Sequence, residues 1–139
     1  MAELRVFAPV VTSVLASSDA CDRVSDGATV LRVNAREVLV VGQIDVEGLR
    51  RAVDEPTAVV GDVSDGWAGF VLAGDDAREA FARVSELRLP GTGWIQGDVA
   101  RVAAKVIVEP DRMTLFVPAM LAAHVEERIR VDAAEVLTP

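Results

Sequence analysis

Few residues in this chain of 139 could do chemistry by themselves. His124 is the single histidine and Cys21 the single cysteine. A lone histidine without a paired nucleophile is weak evidence for acid–base or covalent catalysis, so we interpret His124 as a surface or boundary residue, with a pH-sensitive contact as the alternative. Residues 17–26 are rich in Ser and Asp and are predicted to form a surface loop. Cys21 lies in this loop beside Asp22, whose negative charge disfavours a reactive thiolate. The sequence therefore predicts no catalytic residue and no metal site, and one cysteine allows no intrachain disulfide.

The segment Gly91-x-Gly93-x-x-x-Gly97 has the glycine content of a phosphate-binding loop. It lacks the Lys-Ser/Thr ending of a P-loop and the spacing of the dinucleotide fingerprint. It also does not follow a predicted strand and open a helix. We interpret residues 90–93 as a flexible connection.

Composition narrows the classes of partner. The formal net charge is −8 and hydrophobic residues make up 51% of the chain. An acidic surface disfavours binding to nucleic acid or to an anionic membrane, because both need basic contacts. No apolar run approaches the roughly 20 residues of a membrane span, and no signal peptide is visible. We expect a cytoplasmic protein with its own hydrophobic core.

The most informative segment runs from residue 62 to residue 87. Asp62 and Ser64 can satisfy backbone groups in a turn, and an apolar strand follows over residues 66–73. Gly74 permits a tight turn from this strand into a helix, which Asp75 and Asp76 are placed to cap. We interpret these five polar and glycine positions as structural.

The rest of the chain alternates short predicted elements. The pattern indicates a hairpin over 29–41, a short helix after Asp45, a β-type run over 57–60, a long strand over 99–108, and a strand over 113–117. A C-terminal helix places Leu121, Val125 and Ile129 inward, and a final strand is expected over 131–137.

From residue 66 the predicted order is β-α-β-β-α-β, which is the ferredoxin-like (split βαβ) arrangement. We predict one α+β domain with an antiparallel sheet and helices on one face. Its core covers 59–139, and residues 1–58 form a β-rich extension with a hairpin and a short helix.

Three residues are candidates for a contact with a partner. Trp94 follows the glycine-rich connection, where a large apolar side chain can be exposed and anchor an interface. Arg101 and Lys105 are predicted on the polar face of the long strand. The alternatives are a core position for Trp94 and a solvated sheet face for the two cations.

The ordered set of motifs resembles the aminomethyltransferase-like superfamily, which includes the glycine-cleavage T-protein. The resemblance consists of Asp62-Val63-Ser64 before the strand, Gly74-x-Asp76-Ala77 at the helix start, and the paired strands with the C-terminal helix. It covers residues 59–130, and the version here looks most like the sarcosine oxidase gamma subunit.

This resemblance implies a non-catalytic subunit of a heteromeric amine oxidase that completes the shape of a larger flavoprotein partner. Such enzymes oxidise an N-methyl amine and pass the one-carbon unit to tetrahydrofolate. The chain alone is then expected to bind neither flavin nor tetrahydrofolate. Members that act on tetrahydrofolate carry an Asn-Asp pair just after the helix, whereas residues 84–89 here contain none. The alternative hypothesis is a stand-alone folate-binding or small-ligand regulatory module that forms a homo-oligomer.

Overall fold

The fold is α+β, with two antiparallel sheets and helices packed on them, and it is compatible with a ferredoxin-like arrangement. The computed structural model describes residues 1–27 and 29–139. In chain order the strands are β1 (Glu3–Phe7), β2 (Val11–Leu15), β3 (Val30–Asn34), β4 (Glu37–Val41), β5 (Val59–Asp62), β6 (Trp67–Ala73), β7 (Gly93–Val99), β8 (Val102–Glu109) and β9 (Arg112–Pro118). The α-helices are α1 (Ser18–Arg23), α2 (Val46–Val53), α3 (Ala77–Ala82) and α4 (Ala122–Asp132).

The chain divides into two compact units. The larger unit comprises Met1–Ala8 and Asp65–Pro139, and the smaller unit comprises Pro9–Ser64. The chain therefore starts in the larger unit, leaves it after β1 and returns just before β6. This division differs from the predicted boundary between residues 58 and 59, because β1 pairs with β6 and not with the strands that follow it.

The larger unit is built on a five-stranded sheet in the order β1-β6-β9-β8-β7. Alternate residues of β8 are buried, as the apolar periodicity of this segment predicts. Phe81 of α3 and Ile129 of α4 belong to the same core as Val106 of β8. Both helices thus cover one face of the sheet, and that face carries the hydrophobic core.

The smaller unit is built on a four-stranded sheet in the order β3-β4-β2-β5. Val14, Val38 and Val60 from three of its strands form a core with Ala20 of α1 and Val53 of α2. The predicted hairpin is present as β3 and β4, with a register irregularity between Arg32 and Asn34. The β-type run predicted over 57–60 starts two residues later, at Val59.

Helix α1 was missed by the sequence analysis, which predicted a surface loop over 17–26. Ser17 caps this helix, since its Oγ accepts a hydrogen bond from the Ala20 amide at 3.2 Å. Cys21 is therefore a buried residue of a short helix and not part of an exposed loop. The serine cap followed by an acidic first turn was the available signal, but the helix is only six residues long.

The long strand predicted over 99–108 was wrong at its beginning. Val99 ends β7, Ala100 and Arg101 form a tight turn, and β8 starts at Val102. Strand β7 was missed because its glycines indicate a loop. The turn was missed because Ala100 and Arg101 have φ values of 51° and 65°, a conformation that favours Asn or Gly.

Two further predictions at helix ends need correction. Helix α3 begins at Ala77, and Asp76 at the N-cap position makes no side-chain capping bond. The final strand predicted over 131–137 is replaced by the continuation of α4 to Asp132 and a single bridge between Ala2 and Leu137. From residue 66 the order is therefore β-α-β-β-β-α. No helix of the described residues is long and apolar enough to cross a membrane.

Candidate functional site

The Asp62 and Ser64 side chains join two strands of the smaller unit. Asp62 Oδ1 accepts a hydrogen bond from the Ser64 amide at 2.8 Å, and Ser64 Oγ accepts one from the Val11 amide at 2.8 Å. The hydrogen bonds from Ser64 lower the pKa of the Asp62 carboxyl below its ordinary value. These contacts hold the end of β5 next to the start of β2.

Gly74 lies where the larger unit leaves no room for a side chain. Its φ is +113°, and an added Cβ would stand 2.6 Å from the Met1 carbonyl oxygen. The Gly74 amide donates to the Asp111 carbonyl at 3.0 Å. Asp76 lies 3.2 Å from the Met1 amino nitrogen, and Asp75 is exposed. Gly74 and Asp76 thus serve the connection from β6 into α3.

Trp94 and Lys105 lie on the same face of the five-stranded sheet. Trp94 is opposite Ile107 and Lys105 is opposite Gln96, on the face away from the core that holds Val106. Both side chains are half-buried. Arg101 is not on this face, since it occupies the tight turn between β7 and β8. The structure therefore brings two of the three predicted contact residues together and separates the third from them.

The turn that carries Arg101 is held by hydrogen bonds on both sides. The Ala100 amide donates to the Val84 carbonyl at 2.7 Å, and His124 Nε2 donates to the Ala100 carbonyl at 3.1 Å. Next to it, Ser85 Oγ donates to the Asp98 carbonyl at 2.7 Å. Left-handed residues other than glycine persist where the surroundings fix them, and they are frequent at binding sites. These three bonds explain why an Ala-Arg turn is tolerated.

An open groove of about 1050 Å³ lies beside this turn within the larger unit. Its lining includes Glu86 and Leu87 after α3, Arg101 in the turn, and His124 and Arg128 on α4. Arg128 is neutralised by Asp132, with both carboxylate oxygens at 2.6 Å from its Nη2. The Arg101 side chain makes no hydrogen bond or ion pair with any described residue, and the residue is exposed. The groove therefore presents one cation that is available for a carboxylate or another anion.

The polar lining of the groove includes two hydrogen-bond donors as well as the carboxylates of Glu86, Asp98 and Asp132. Ser85 and His124 each donate to a backbone carbonyl. Glu86 occupies the region where the Asn-Asp pair of the resembling folate enzymes is expected, and its side chain is exposed. No cluster of three metal-ligating side chains occurs among the described residues. This arrangement is suited to binding.

Comparison with known structures gives a fold similarity over nearly the whole chain. A chain of the heterotetrameric sarcosine oxidase from Corynebacterium sp. U-96, solved in complex with pyrrole 2-carboxylate, matches with a TM-score of 0.81 and 14% identity. The match covers 96% of this chain and 84% of that chain. At this identity the likeness concerns the fold alone.

A weaker similarity links the chain to a regulatory protein. The regulatory subunit of aspartate kinase from Thermus thermophilus, in its ligand-free form, matches with a TM-score of 0.50 and 9% identity, over 93% of this chain and 95% of that chain. No family model and no curated protein matches the sequence.

Proposed function

We propose that this chain is a non-catalytic, gamma-type subunit of a heteromeric amine oxidase of the sarcosine oxidase type. The observation that carries the proposal is the similarity to a chain of a heterotetrameric sarcosine oxidase, with a TM-score of 0.81 over 96% of this chain. The independent resemblance of Asp62-Val63-Ser64 and Gly74-x-Asp76-Ala77 to the aminomethyltransferase-like superfamily points to the same group of proteins.

In this proposal the chemistry belongs to a larger flavoprotein partner. That partner binds flavin and oxidises an N-methyl amine, and tetrahydrofolate accepts the one-carbon unit in the complex. We assign neither cofactor to this chain. Its contribution is a contact surface, for which Trp94 and Lys105 on the sheet face and Arg101 in the neighbouring turn are the proposed anchors.

The physical basis of this surface is a half-buried indole and a half-buried ammonium on one sheet face, with the exposed Arg101 in the turn that follows β7. Tryptophan and arginine are the residues whose truncation most often costs binding energy, because they bury a large area or pair with a carboxylate. Arg101 is free of ion pairs with the described residues, so a partner carboxylate would not have to displace an internal one. The turn that carries it is held rigidly by Val84 and His124, which lowers the entropy lost on binding.

The test is co-purification of the native protein from its own host with an affinity tag on this chain. We expect a larger chain to co-purify and the eluate to show the absorption spectrum of a bound flavin. Trp94→Ala and Arg101→Glu should each reduce the co-purified flavin about tenfold or more, as for interface anchors. Arg88→Glu is the matched control, because Arg88 is also exposed and outside the proposed surface. Purification of the chain by itself, without flavin, would reject the proposal.

A second candidate is a stand-alone small-ligand or folate-binding module. The similarity to an aspartate kinase regulatory subunit favours it, although the TM-score of 0.50 is well below 0.81. Calorimetry of the isolated chain with tetrahydrofolate separates the two. Binding to the lone chain supports the module, and no binding supports the subunit.

A further inference from the structure

Strand β1 is an edge of the five-stranded sheet, and part of its outer side is open. It pairs with β6 only, in the register that places Arg5 opposite Val71 and Val6 opposite Phe70. An edge strand directs the backbone groups of alternate residues away from its neighbour, where they can pair with another chain. Which residues of β1 point outward decides what can bind there.

The hydrogen bonds of Ala2 show which backbone groups of β1 point away from β6. The Ala2 amide donates to the Val136 carbonyl and the Ala2 carbonyl accepts from the Thr138 amide, each at 2.7 Å. Both groups of Ala2 thus point away from β6, and by alternation those of Leu4 and Val6 do so as well.

A contact between the end of β6 and the start of β9 independently confirms which backbone groups of β6 point away from β1. The Gly74 amide donates toward β9, to the Asp111 carbonyl. By alternation Leu72 and Phe70, which stand opposite Leu4 and Val6, also direct their backbone groups to β9. The amides and carbonyls of Leu4 and Val6 therefore have no partner in β6 and none elsewhere among the described residues.

We propose that this open row binds the β1 strand of a second copy of the chain, antiparallel and about a two-fold axis. Three registers of this kind use the outward groups of both Leu4 and Val6. Placing Leu4 opposite its own copy requires the backbone of Ala2, which the C-terminal segment already occupies. Placing Leu4 opposite Val6 sets Arg5 directly against Arg5 of the second copy, and like charges in that position are destabilising.

The third register satisfies both restrictions. Val6 lies opposite Val6 of the second copy, and Leu4 lies opposite Ala8. On one face the two Val6 side chains, each 48% exposed in the single chain, pack together. On the other face Arg5 stands opposite Phe7, whose ring lies over Gly69 and can accept a cation–π contact. The pairing is self-complementary, as an isologous interface requires.

This proposal does not depend on the proposed function. The partner surface at Trp94 lies on the β7 side of the sheet, and β1 is the opposite edge. A chain can therefore use both surfaces at the same time.

The first experiment is sedimentation equilibrium of the isolated chain between about 10 μM and 1 mM, with Val6→Pro as the test variant. Proline removes the Val6 amide, which the β1–β6 ladder does not use, so the fold should be retained. We expect the wild type to approach dimer mass at high concentration and Val6→Pro to self-associate at least tenfold more weakly. A wild type that stays monomeric at 1 mM would overturn the proposal, as would a folded Val6→Pro variant that dimerises normally.

Cross-linking gives a readout that does not depend on proline. Residues in a hydrogen-bonded antiparallel pair have Cα atoms about 5.5 Å apart, within the range of a disulfide. Val6→Cys should therefore form a covalent dimer under mild oxidation. The control is Val131→Cys on α4, which is 59% exposed, and the native Cys21 is buried. Equal dimer yields from the two cysteine variants would reject the register.

Discussion

The contacts that stabilise the interior of the larger unit differ from those that stabilise the interior of the smaller unit. All six aromatic residues of the chain, four Phe and two Trp, lie in the larger unit, and the smaller unit from Pro9 to Ser64 has none. The core of the larger unit includes Phe70, Phe81 and Leu115. The fully buried residues of the core cluster in the smaller unit are Val, Ala and one Cys, with Ile44 and Leu49 packed against them. Less apolar area is buried per side chain in this cluster, so the stability of the smaller unit rests more on other contacts.

Those other contacts are polar bonds between elements. Ser17 at the start of α1 donates to Glu55 through both its amide and its hydroxyl, at 2.8 and 2.5 Å. Arg23 donates to the Val53 carbonyl, and Arg50 donates to the Val60 carbonyl at 3.0 Å. In the larger unit most ion pairs join residues one helical turn apart on the surface, which contribute little. The comparison indicates that packing dominates one unit and that charge and capping matter more in the other.

The largest expected effect is a cavity in the larger unit. Phe81→Ala should lower the free energy of unfolding by about 3–5 kcal/mol, because Phe81 is fully buried in the core. Val38→Ala, at an equally buried position of the smaller unit, should cost only about 2 kcal/mol, since fewer methylene groups are removed. Urea denaturation followed by circular dichroism measures both. Tryptophan fluorescence reports the larger unit alone, because it contains Trp67 and Trp94. Equal losses would contradict the difference between the cores.

The next effect is backbone strain at the start of α3. Gly74→Ala should lower the free energy of unfolding by about 2–3 kcal/mol, because a side chain is strained at a φ of +113° and meets the Met1 carbonyl oxygen. Gly91→Ala is the control, since an added Cβ there meets no atom within 4 Å. Fluorescence-detected urea denaturation distinguishes the two variants. A loss at Gly91 as large as that at Gly74 would show that flexibility of glycine, and not the close approach, controls stability.

The sequence predicted more of the fold than of the site. The β8 strand, the 29–41 hairpin and the inward positions Val125 and Ile129 follow from apolar periodicity, and the structure confirms them. Leu121, which was also predicted inward, precedes α4 and is 37% exposed. Strand β7 was missed because its glycines indicate a loop. The Ala100–Arg101 turn was missed because bonds to Val84 and His124 hold residues whose own preferences oppose that conformation. The groove was missed for a related reason. Its lining comes from three separate segments, after α3, at the turn and on α4, and no local pattern places them together.

The stability of the smaller unit should decrease in acid because of the contact between Ser17 and Glu55. Hydrogen bonds from Ser17 lower the pKa of the Glu55 carboxyl below its ordinary value of 4.5, with smaller contributions from Arg23 and Arg36. A folded pKa below the unfolded one adds stability that is present above pH 4.5 and is lost as the pH falls through the folded pKa. Ser17→Ala should cost about 1 kcal/mol at pH 7 through the lost helix cap. The substitution also removes the hydroxyl that binds Glu55. The stability that Ser17→Ala loses relative to the wild type should therefore be smaller in acid.

Thermal denaturation of the wild type and Ser17→Ala at pH 7 and at about pH 3 measures this change. Ser18→Ala is the control, because the Ser18 hydroxyl is exposed and contacts only Arg32, at 3.4 Å. A difference in melting temperature between wild type and Ser17→Ala that stays constant from pH 7 to pH 3 would show that the Glu55 contact adds nothing to the smaller unit.

The smallest expected effect is a gain in stability of the larger unit on replacing Arg101. The same replacement should weaken binding to the partner, so it separates binding from stability. Arg101 holds a φ of 65°, which costs a residue other than glycine about 1–2 kcal/mol. Arg101→Gly removes this strain but gives the unfolded chain more freedom, so the net gain in the free energy of unfolding should be about 0.5–1 kcal/mol. Arg101→Gln keeps the strain and should leave stability unchanged, while both variants lose the guanidinium and should retain less flavoprotein in co-purification. If Arg101→Gly destabilised the larger unit, the arginine side chain would be stabilising its own turn. That result would contradict the proposal that this side chain is available to a partner.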